Sequence, residues 1–411
     1  MIFNQIFTLV KRYFSSKHTK FYMFINVILL PMIIKHVSRC FSNKIDEKLI
    51  VLGAYGGQAY IGNTKYLFKF LNEHSKYKII WVTKSKYLND KLNREGYSSL
   101  YTYSLKTIKV LRKAKFIFLT HGSEDVLPID FSPKTIVILT WHGTPIKKIN
   151  VDDRRLLMIK KWGIRFRLKL QFHQYIDYLL TPTTGDLEHK NLSSAFKVPL
   201  NKILNSGYPR HDILFNKDRE FVESLKKKFD ISEDFDRIIL YCPTFRGYKT
   251  SGFKISNKNL KNLDDMLKET NSLFLLKGHH FGKLADHQGY VNIRNISKGV
   301  DIQELYLISD VLITDYSSTM VDFSLLDRPI LLFPYDLEEY IEKRGMYYNL
   351  EDIAPGPLLF TINELIEALR DIDEIEKIYA EKRRIIRDRF NKYVDGNSTK
   401  RILDFLNIKY F

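Results

Sequence analysis

Four polar segments of this chain each follow a short apolar run, and each carries side chains able to move a proton or hold a phosphate. Trp141-His142-Gly143-Thr144-Pro145 follows the run 136–140. A neutral imidazole at such a strand end can accept a proton from an attacking hydroxyl. The same histidine equally suits a helix cap or a loop carbonyl, and spacing alone does not separate the two. Pro145 fits a first helical position. Thr244 and Arg246 follow the run 238–241; they can hold phosphate oxygens or form an ordinary surface turn. Lys277-Gly278-His279-His280 follows 273–276 and reads as an anion clamp. Adjacent histidines point apart, and neither an HExxH pattern nor a carboxylate triad accompanies them, so a metal centre is not expected. Thr314-Asp315-Tyr316-Ser317-Ser318-Thr319 closes the run 311–314 and opens a helix. Ser317, Ser318 or Thr319 fits its N-cap, where backbone N–H groups and the helix dipole favour a phosphate or diphosphate. Plain capping without a ligand uses the same residues.

These segments need strands to place them. Residues 48–57 read as a buried strand entering a glycine-rich loop, followed by a helical pattern through 63–73. Strands are expected at 78–83, 116–120 and 135–140, and a second series at 238–241, 273–276, 311–314 and 329–333. Short β-branched runs separated by helical stretches indicate parallel sheets with crossover helices. The chain therefore divides into a first α/β domain over 46–215 and a second over 216–411, with the charged stretch 216–236 as the junction and helices from 363 to the end. Ligands of doubly wound sheets bind outside the carboxyl ends of the strands, where all four segments lie.

A length of 411 residues suits two domains, and a hydrophobic fraction of 45% supports large cores. The formal charge of +18 calls for an anionic partner: nucleic acid, an anionic membrane surface or a phosphorylated substrate. No zinc-finger spacing or RNP-type aromatic motif supports nucleic acid. Cys40 and Cys242 show no CxxC spacing, which fits a reducing cytoplasm. Residues 1–45 hold seven Lys/Arg and no Asp or Glu. Their apolar run 21–34 is short for a spanning helix and lacks a signal-peptide cleavage site. It reads either as an interfacial anchor with basic flanks or as a helix packed on the first domain. Residues 154–169 (RRLLMIKKWGIRFRLK) carry seven basic residues and no acids, a second membrane-surface candidate or a solvated helix flank.

The ordered set of motifs resembles the CDP-glycerol glycerophosphotransferase family of teichoic-acid and capsule synthesis. The matching segments are WHGTPIKK (141–148), GYPRHDIL (207–214), PTFR (243–246), KGH (277–279) and SDVLITDYSS (309–318). YDLEEY (335–340), RG (344–345) and PGP (355–357) complete the order. Phe245, His280 and His211 stand where the family often has Trp, Pro and Asn.

The resemblance implies a glycosyltransferase-B type fold, two Rossmann-like domains with the nucleotide in the second, plus the basic N-terminal extension. It implies His142 as general base and His279 at the diphosphate with Lys277. It also implies that Thr314, Asp315, Ser317 and Ser318 hold phosphates and that Thr244 and Arg246 line the same cleft. Gly143, Thr144, Arg210 and Asp212 are expected on the acceptor or cleft side. The implied reaction moves a polyol phosphate, glycerol phosphate first, from a CDP carrier to the hydroxyl of a lipid-linked precursor, releasing CMP. The alternative donors are CDP-ribitol or a UDP-sugar. No cofactor is required, with Mg2+ admitted, and nucleic acid is not a partner. The expected place is the cytoplasmic face of the membrane, held peripherally through 1–45 and 154–169.

Overall fold

The chain is described by a computed structural model over residues 30–154, 175–231, 234–244, 246, 256–277, 290–296 and 299–411. Seven strands build the first sheet: β1 (Asp46–Leu52), β2 (Lys78–Thr83), β3 (Ser99–Tyr101), β4 (Ala114–Leu119), β5 (Ile136–Leu139), β6 (Tyr178–Thr181) and β7 (Ile203–Asn205). Their spatial order is β3-β2-β1-β4-β5-β6-β7, with every pairing parallel. The second sheet holds β8 (Arg237–Tyr241), β9 (Ser272–Leu276), β10 (Ile293–Asn295), β11 (Val311–Thr314) and β12 (Ile330–Leu332), ordered β10-β9-β8-β11-β12 and again parallel. The sequence pattern did not announce β3, β6, β7 and β10. They are three or four residues long, and β3, β7 and β10 lie at sheet edges, where less of each strand is buried.

Both sheets are covered on both faces, so successive residues of one strand enter different cores. Leu49 and Val51 of β1 pack into one apolar cluster, Ile50 and Leu52 into another. In β8, Ile238 and Leu240 face one side and Ile239 and Tyr241 the other. The junction after residue 216 is no loose hinge. The helix Arg219–Lys228 starts on an Asp218 cap and packs Leu225, with Phe221 and Val222, into a core of the second domain. The last helix, Ser398–Phe405, returns to the first domain and packs Ile402 and Leu403 beside Phe68 and Trp81.

In each sheet the strand order reverses between the first and fourth strands, β1/β4 and β8/β11. The crevice at such a reversal is where doubly wound folds take ligands, and in this chain the two crevices share one cleft.

Candidate active site

Three strand ends build the first-domain wall. β1 runs into Tyr55-Gly56-Gly57, β4 into Thr120-His121-Gly122, and β5 into Trp141-His142-Gly143. The buried carboxylate of Asp125 organises the first two. It accepts backbone N–H groups of Gly56 at 2.6 Å, Thr120 at 2.6 Å and His121 at 2.7 Å, and the Thr120 hydroxyl at 3.1 Å. Burial pushes this carboxyl above its ordinary range, and the hydrogen bonds from His121, Gly56 and Thr120 oppose that push. The 122–125 turn lies so close over β1 that a Cβ on Gly53 would meet the Asp125 carbonyl at 2.5 Å. Tyr55 and Trp141 both sit in left-handed backbone, at φ 51° and 54°. For a bulky side chain that conformation costs of order 1–3 kcal/mol. At both positions the strain brings an aromatic ring against histidine. Tyr55 lies 4.6 Å from the His121 ring and Trp141 lies 3.8 Å from the His142 ring. Nδ1 of His142 points to the Thr120 carbonyl at 3.5 Å. A carbonyl only accepts, so the neutral ring carries its proton on Nδ1 and its basic lone pair on Nε2.

The opposite wall belongs to the second domain. Ser317 and Ser318 precede the short helix Thr319–Phe323, and the Ser317 hydroxyl accepts the Thr319 N–H at 3.3 Å. Beneath them lies a buried ionic platform. Arg246 is 1% exposed and spends its guanidinium on Asp315 Oδ2 at 2.8 Å, on Asp336 at 2.8 and 2.9 Å, and on the Thr244 carbonyl at 2.7 Å. The rings of Tyr316, Tyr335 and Tyr340 surround it at 5.0–5.3 Å. Burial opposes its charge, but Asp315 and Asp336 more than offset that and raise its pKa. Asp315 also accepts the backbone N–H of Tyr316 and of Thr244. The Thr314 hydroxyl donates to the Cys242 carbonyl. Lys277, at the end of β9, reaches the cleft, and burial lowers its pKa.

A polar chain joins the two walls. Asn63, fully buried, donates to the carbonyls of Thr140 and Trp141 at 3.0 Å each and accepts the Arg210 N–H at 3.3 Å. Arg210 in turn grips Asp322 at 2.8–2.9 Å, and His211 and Gln303 reach the same carboxylate at 2.9 and 3.3 Å. Burial alone would raise the Asp322 pKa; Arg210 and His211 hold it below the usual carboxylate range. Since Asp322 sits on the helix that Ser317 and Ser318 open, the His142 loop and the Ser317–Ser318 loop are tied through Asn63, Arg210 and Asp322. They also touch directly, because a Cβ on Gly143 would lie 2.3 Å from the Ser318 hydroxyl. Lys65 adds a second tie, with its ammonium 2.8 Å from Asp301 and 3.0 Å from Glu304 across the domains.

The resulting cleft has a volume of about 510 Å³. His142, Gly143, Thr144, Arg210, Lys277, Ser317 and Ser318 line it together. Thr244, Arg246, Thr314 and Asp315 do not line it and support its Ser317–Ser318 wall from below. Asp212 lies elsewhere, where its carboxylate accepts the N–H groups of Ser398 and Thr399 at 2.8 Å and caps the returning helix. His279 falls outside the described residues, as do 1–29 and 155–169 of the two basic segments. Tyr55, Asn63, Thr120, His121, Asp125 and Asp322 were not singled out from sequence. One signal was present: Leu119-Thr-His-Gly repeats the strand-then-His-Gly pattern of Thr140-Trp-His-Gly.

This cleft, with an imidazole facing serines and a lysine across two Rossmann-like sheets, suits transfer of a phosphate-linked group. The model of the CDP-glycerol:poly(glycerophosphate) glycerophosphotransferase family matches residues 35–407. The chain belongs to that family. The teichoic acid glycerol-phosphate transferase of Staphylococcus aureus is 32% identical over 368 residues, covering 87% of this chain and 92% of that protein. The teichoic acid poly(glycerol phosphate) polymerase of Bacillus spizizenii is 33% identical over 381 residues, with 88% and 92% covered. Among solved structures, the wall teichoic acid polymerase TagF matches with a TM-score of 0.79 at 27% identity, over 93% of this chain and 94% of that one. Another TagF structure is of a histidine variant soaked with CDPG. A UDP-GlcNAc 2-epimerase from Neisseria meningitidis, at 14% identity and a TM-score of 0.53, shares the fold. The glycerophosphotransferase is thus an α/β enzyme of glycosyltransferase-B type, as its motifs imply. Among its described residues no helix is long and apolar enough to cross a membrane.

Proposed function

We propose that this glycerophosphotransferase moves glycerol phosphate from CDP-glycerol to a hydroxyl of a lipid-linked precursor in teichoic acid synthesis. The acceptor oxygen attacks the phosphorus that bears glycerol, the bond from that phosphorus to CMP breaks, and the hydroxyl proton passes to Nε2 of His142. The observation that carries this reading is the placement of His142 across one cleft from Ser317, Ser318 and Lys277. General-base help of this kind contributes roughly 10²–10⁴-fold in rate. Lys277, Ser317, Ser318 and His279 hold the diphosphate and offset charge developing on it. Thr244, Arg246, Thr314 and Asp315 keep the phosphate loop in place from beneath, while Gly143, Thr144 and Arg210 shape the acceptor side. Asp212 acts at a distance, through the returning helix.

The protein's own cations serve without a required metal. Chelation by EDTA leaves turnover intact in this reading, and a loss restored by Mg2+ would add the ion to the site. The basic segments 1–45 and 154–169 hold the enzyme peripherally on anionic lipid at the cytoplasmic face. Co-sedimentation with phosphatidylglycerol vesicles but not with phosphatidylcholine vesicles tests this.

The deciding assay incubates the purified chain with CDP-glycerol, CDP-ribitol or a UDP-sugar and a glycerol-phosphate-terminated lipid acceptor. CMP from CDP-glycerol, lost in His142→Ala, supports the reading. A second donor is kept because the relatives include a teichoic acid ribitol-phosphate polymerase of S. aureus at 26% identity; CMP from CDP-ribitol alone would shift the polyol and keep the chemistry. UDP release would overturn the donor class. Near-normal turnover in His142→Ala would remove the base.

A further inference from the structure

Thr120 stands between two imidazoles. Its hydroxyl meets Nδ1 of His121 at 2.8 Å and its carbonyl meets Nδ1 of His142 at 3.5 Å. The two rings lie almost parallel, with centroids 4.1 Å apart and planes 10° apart. Counting protons gives one self-consistent wiring of this group. A hydroxyl has one proton to donate; the Asp125 carboxylate at 3.1 Å can only accept it, whereas the His121 nitrogen takes either role with its tautomer. The same oxygen accepts the Tyr55 N–H at 3.0 Å. With the hydroxyl proton on Asp125, the oxygen accepts toward His121, and Nδ1 of His121 carries hydrogen. The Thr120 carbonyl sets the same state on His142. One residue thus selects the tautomer of both rings, one through its side chain and one through its backbone.

Thr120 and Asp125 are fully buried, and the His142 ring stacks on the flat face of His121 with the tilted Trp141 ring against its side. His121 itself is outside the residues that line the cleft, so it reaches the reacting atoms through His142.

We propose that His121 is a positioning residue for the transfer. The chain Asp125–Thr120–His121 holds an imidazole flat under His142, which keeps the Nδ1–H tautomer of His142 and presents Nε2 as the base. This rests on His142 being the base. It adds an orienting carboxylate that acts on the base through a threonine and a stacked histidine, where simpler arrangements use a direct contact.

The test uses the full chain with ¹⁵N-labelled histidine and four variants. Thr120→Val removes the hydroxyl at nearly constant volume, and Thr120→Ser restores it. His121→Ala removes the stacked ring, and His121→Phe keeps a flat ring without nitrogens. In the unmodified chain, His142 and His121 both report the Nδ1–H tautomer. Both Thr120→Val and His121→Ala keep the Thr120 carbonyl but free the His142 ring to turn away from it, so the His142 signal goes to mixed tautomers and kcat falls roughly 10–100-fold, with KM for CDP-glycerol unchanged. Thr120→Ser recovers both readouts, and His121→Phe recovers part of the His142 signal. An unchanged His142 tautomer in Thr120→Val and His121→Ala overturns the proposal. So does a rise in KM with kcat intact, because that reports general loosening. The NMR readout needs no turnover, so it judges the positioning role even if His142→Ala proves active and the base reading fails.

Discussion

Gly143 offers the sharpest test of how closely the two domain loops must meet. Its φ is +157°, and a Cβ there would lie 2.3 Å from the Ser318 hydroxyl and 3.2 Å from the Ser318 Cβ. Rotating the serine removes the first contact only. The second leaves Gly143→Ala needing a few tenths of an ångström of separation between the base loop and the phosphate loop. That separation is opposed by the ties through Asn63, Arg210 and Asp322, so the misfit falls on the geometry of the cleft. Misplacement of reacting groups by about 1 Å costs on the order of 10²-fold, and the smaller shift here sets an expected loss of roughly 10–100-fold in kcat. Folding should suffer less, by about 1–3 kcal/mol for an alanine in backbone that favours glycine. The assay is steady-state CMP release from CDP-glycerol, run beside Ser318→Gly and the double variant. Ser318→Gly removes both colliding atoms, so the double variant should turn over as fast as Ser318→Gly alone. If Gly143→Ala matches the unmodified enzyme, the loops have slack and the contact is not a constraint. If the double variant is as slow as the product of the two singles, the two positions act independently and the steric argument fails.

Further outcomes follow from the buried charges. Asp322→Asn leaves Arg210 buried without its carboxylate and should cost about 3–5 kcal/mol, seen as a lower denaturation midpoint in urea. The folded pKa of Asp322 is held below the ordinary aspartate value of 3.8. Its contribution is therefore fully present above that value and is lost as pH falls through the folded pKa, so the gap between the two proteins should close in the acid range below 3.8. Arg246→Lys cannot reproduce the fork to Asp315 and Asp336; it should destabilise the second domain by a similar amount, about 3–5 kcal/mol, and reduce turnover by unseating the phosphate loop. A melt unchanged by that substitution would deny Arg246 its supporting role. Asn63→Ala frees the Thr140 and Trp141 carbonyls and should lower kcat with little change in KM for the donor; a rise in KM alone would show that Asn63 serves binding instead.

The strands and their order of use were legible in the amino-acid sequence, because a parallel sheet buried on both faces demands uninterrupted β-branched runs. The eight longer runs became strands, the polar segments after β5 and β11 became loops at the carboxyl ends, and Thr244 and Lys277 stand just past the ends of β8 and β9. The short strands β3, β6, β7 and β10 left too little pattern to read. The helical pattern of the charged stretch 216–236 was legible, and only the fold shows that Phe221 and Leu225 anchor its helix to a core.

The sequence by itself determined the family, the two-domain α/β plan and the set of polar segments, since these rest on local order and composition. Only the tertiary structure decided which members of those segments meet. Arg246 and Thr244 carry the motif but lie beneath the cleft, because two buried carboxylates claim the guanidinium before any phosphate can. Asp212 caps a helix 186 residues further along the chain. Asn63, Thr120, His121, Asp125 and Asp322 carry no spacing signal strong enough to mark them, yet they pack around the His142 loop and join the walls. Their partners are far apart in sequence, and a buried polar group declares its role only when the fold removes water and leaves one partner to satisfy it.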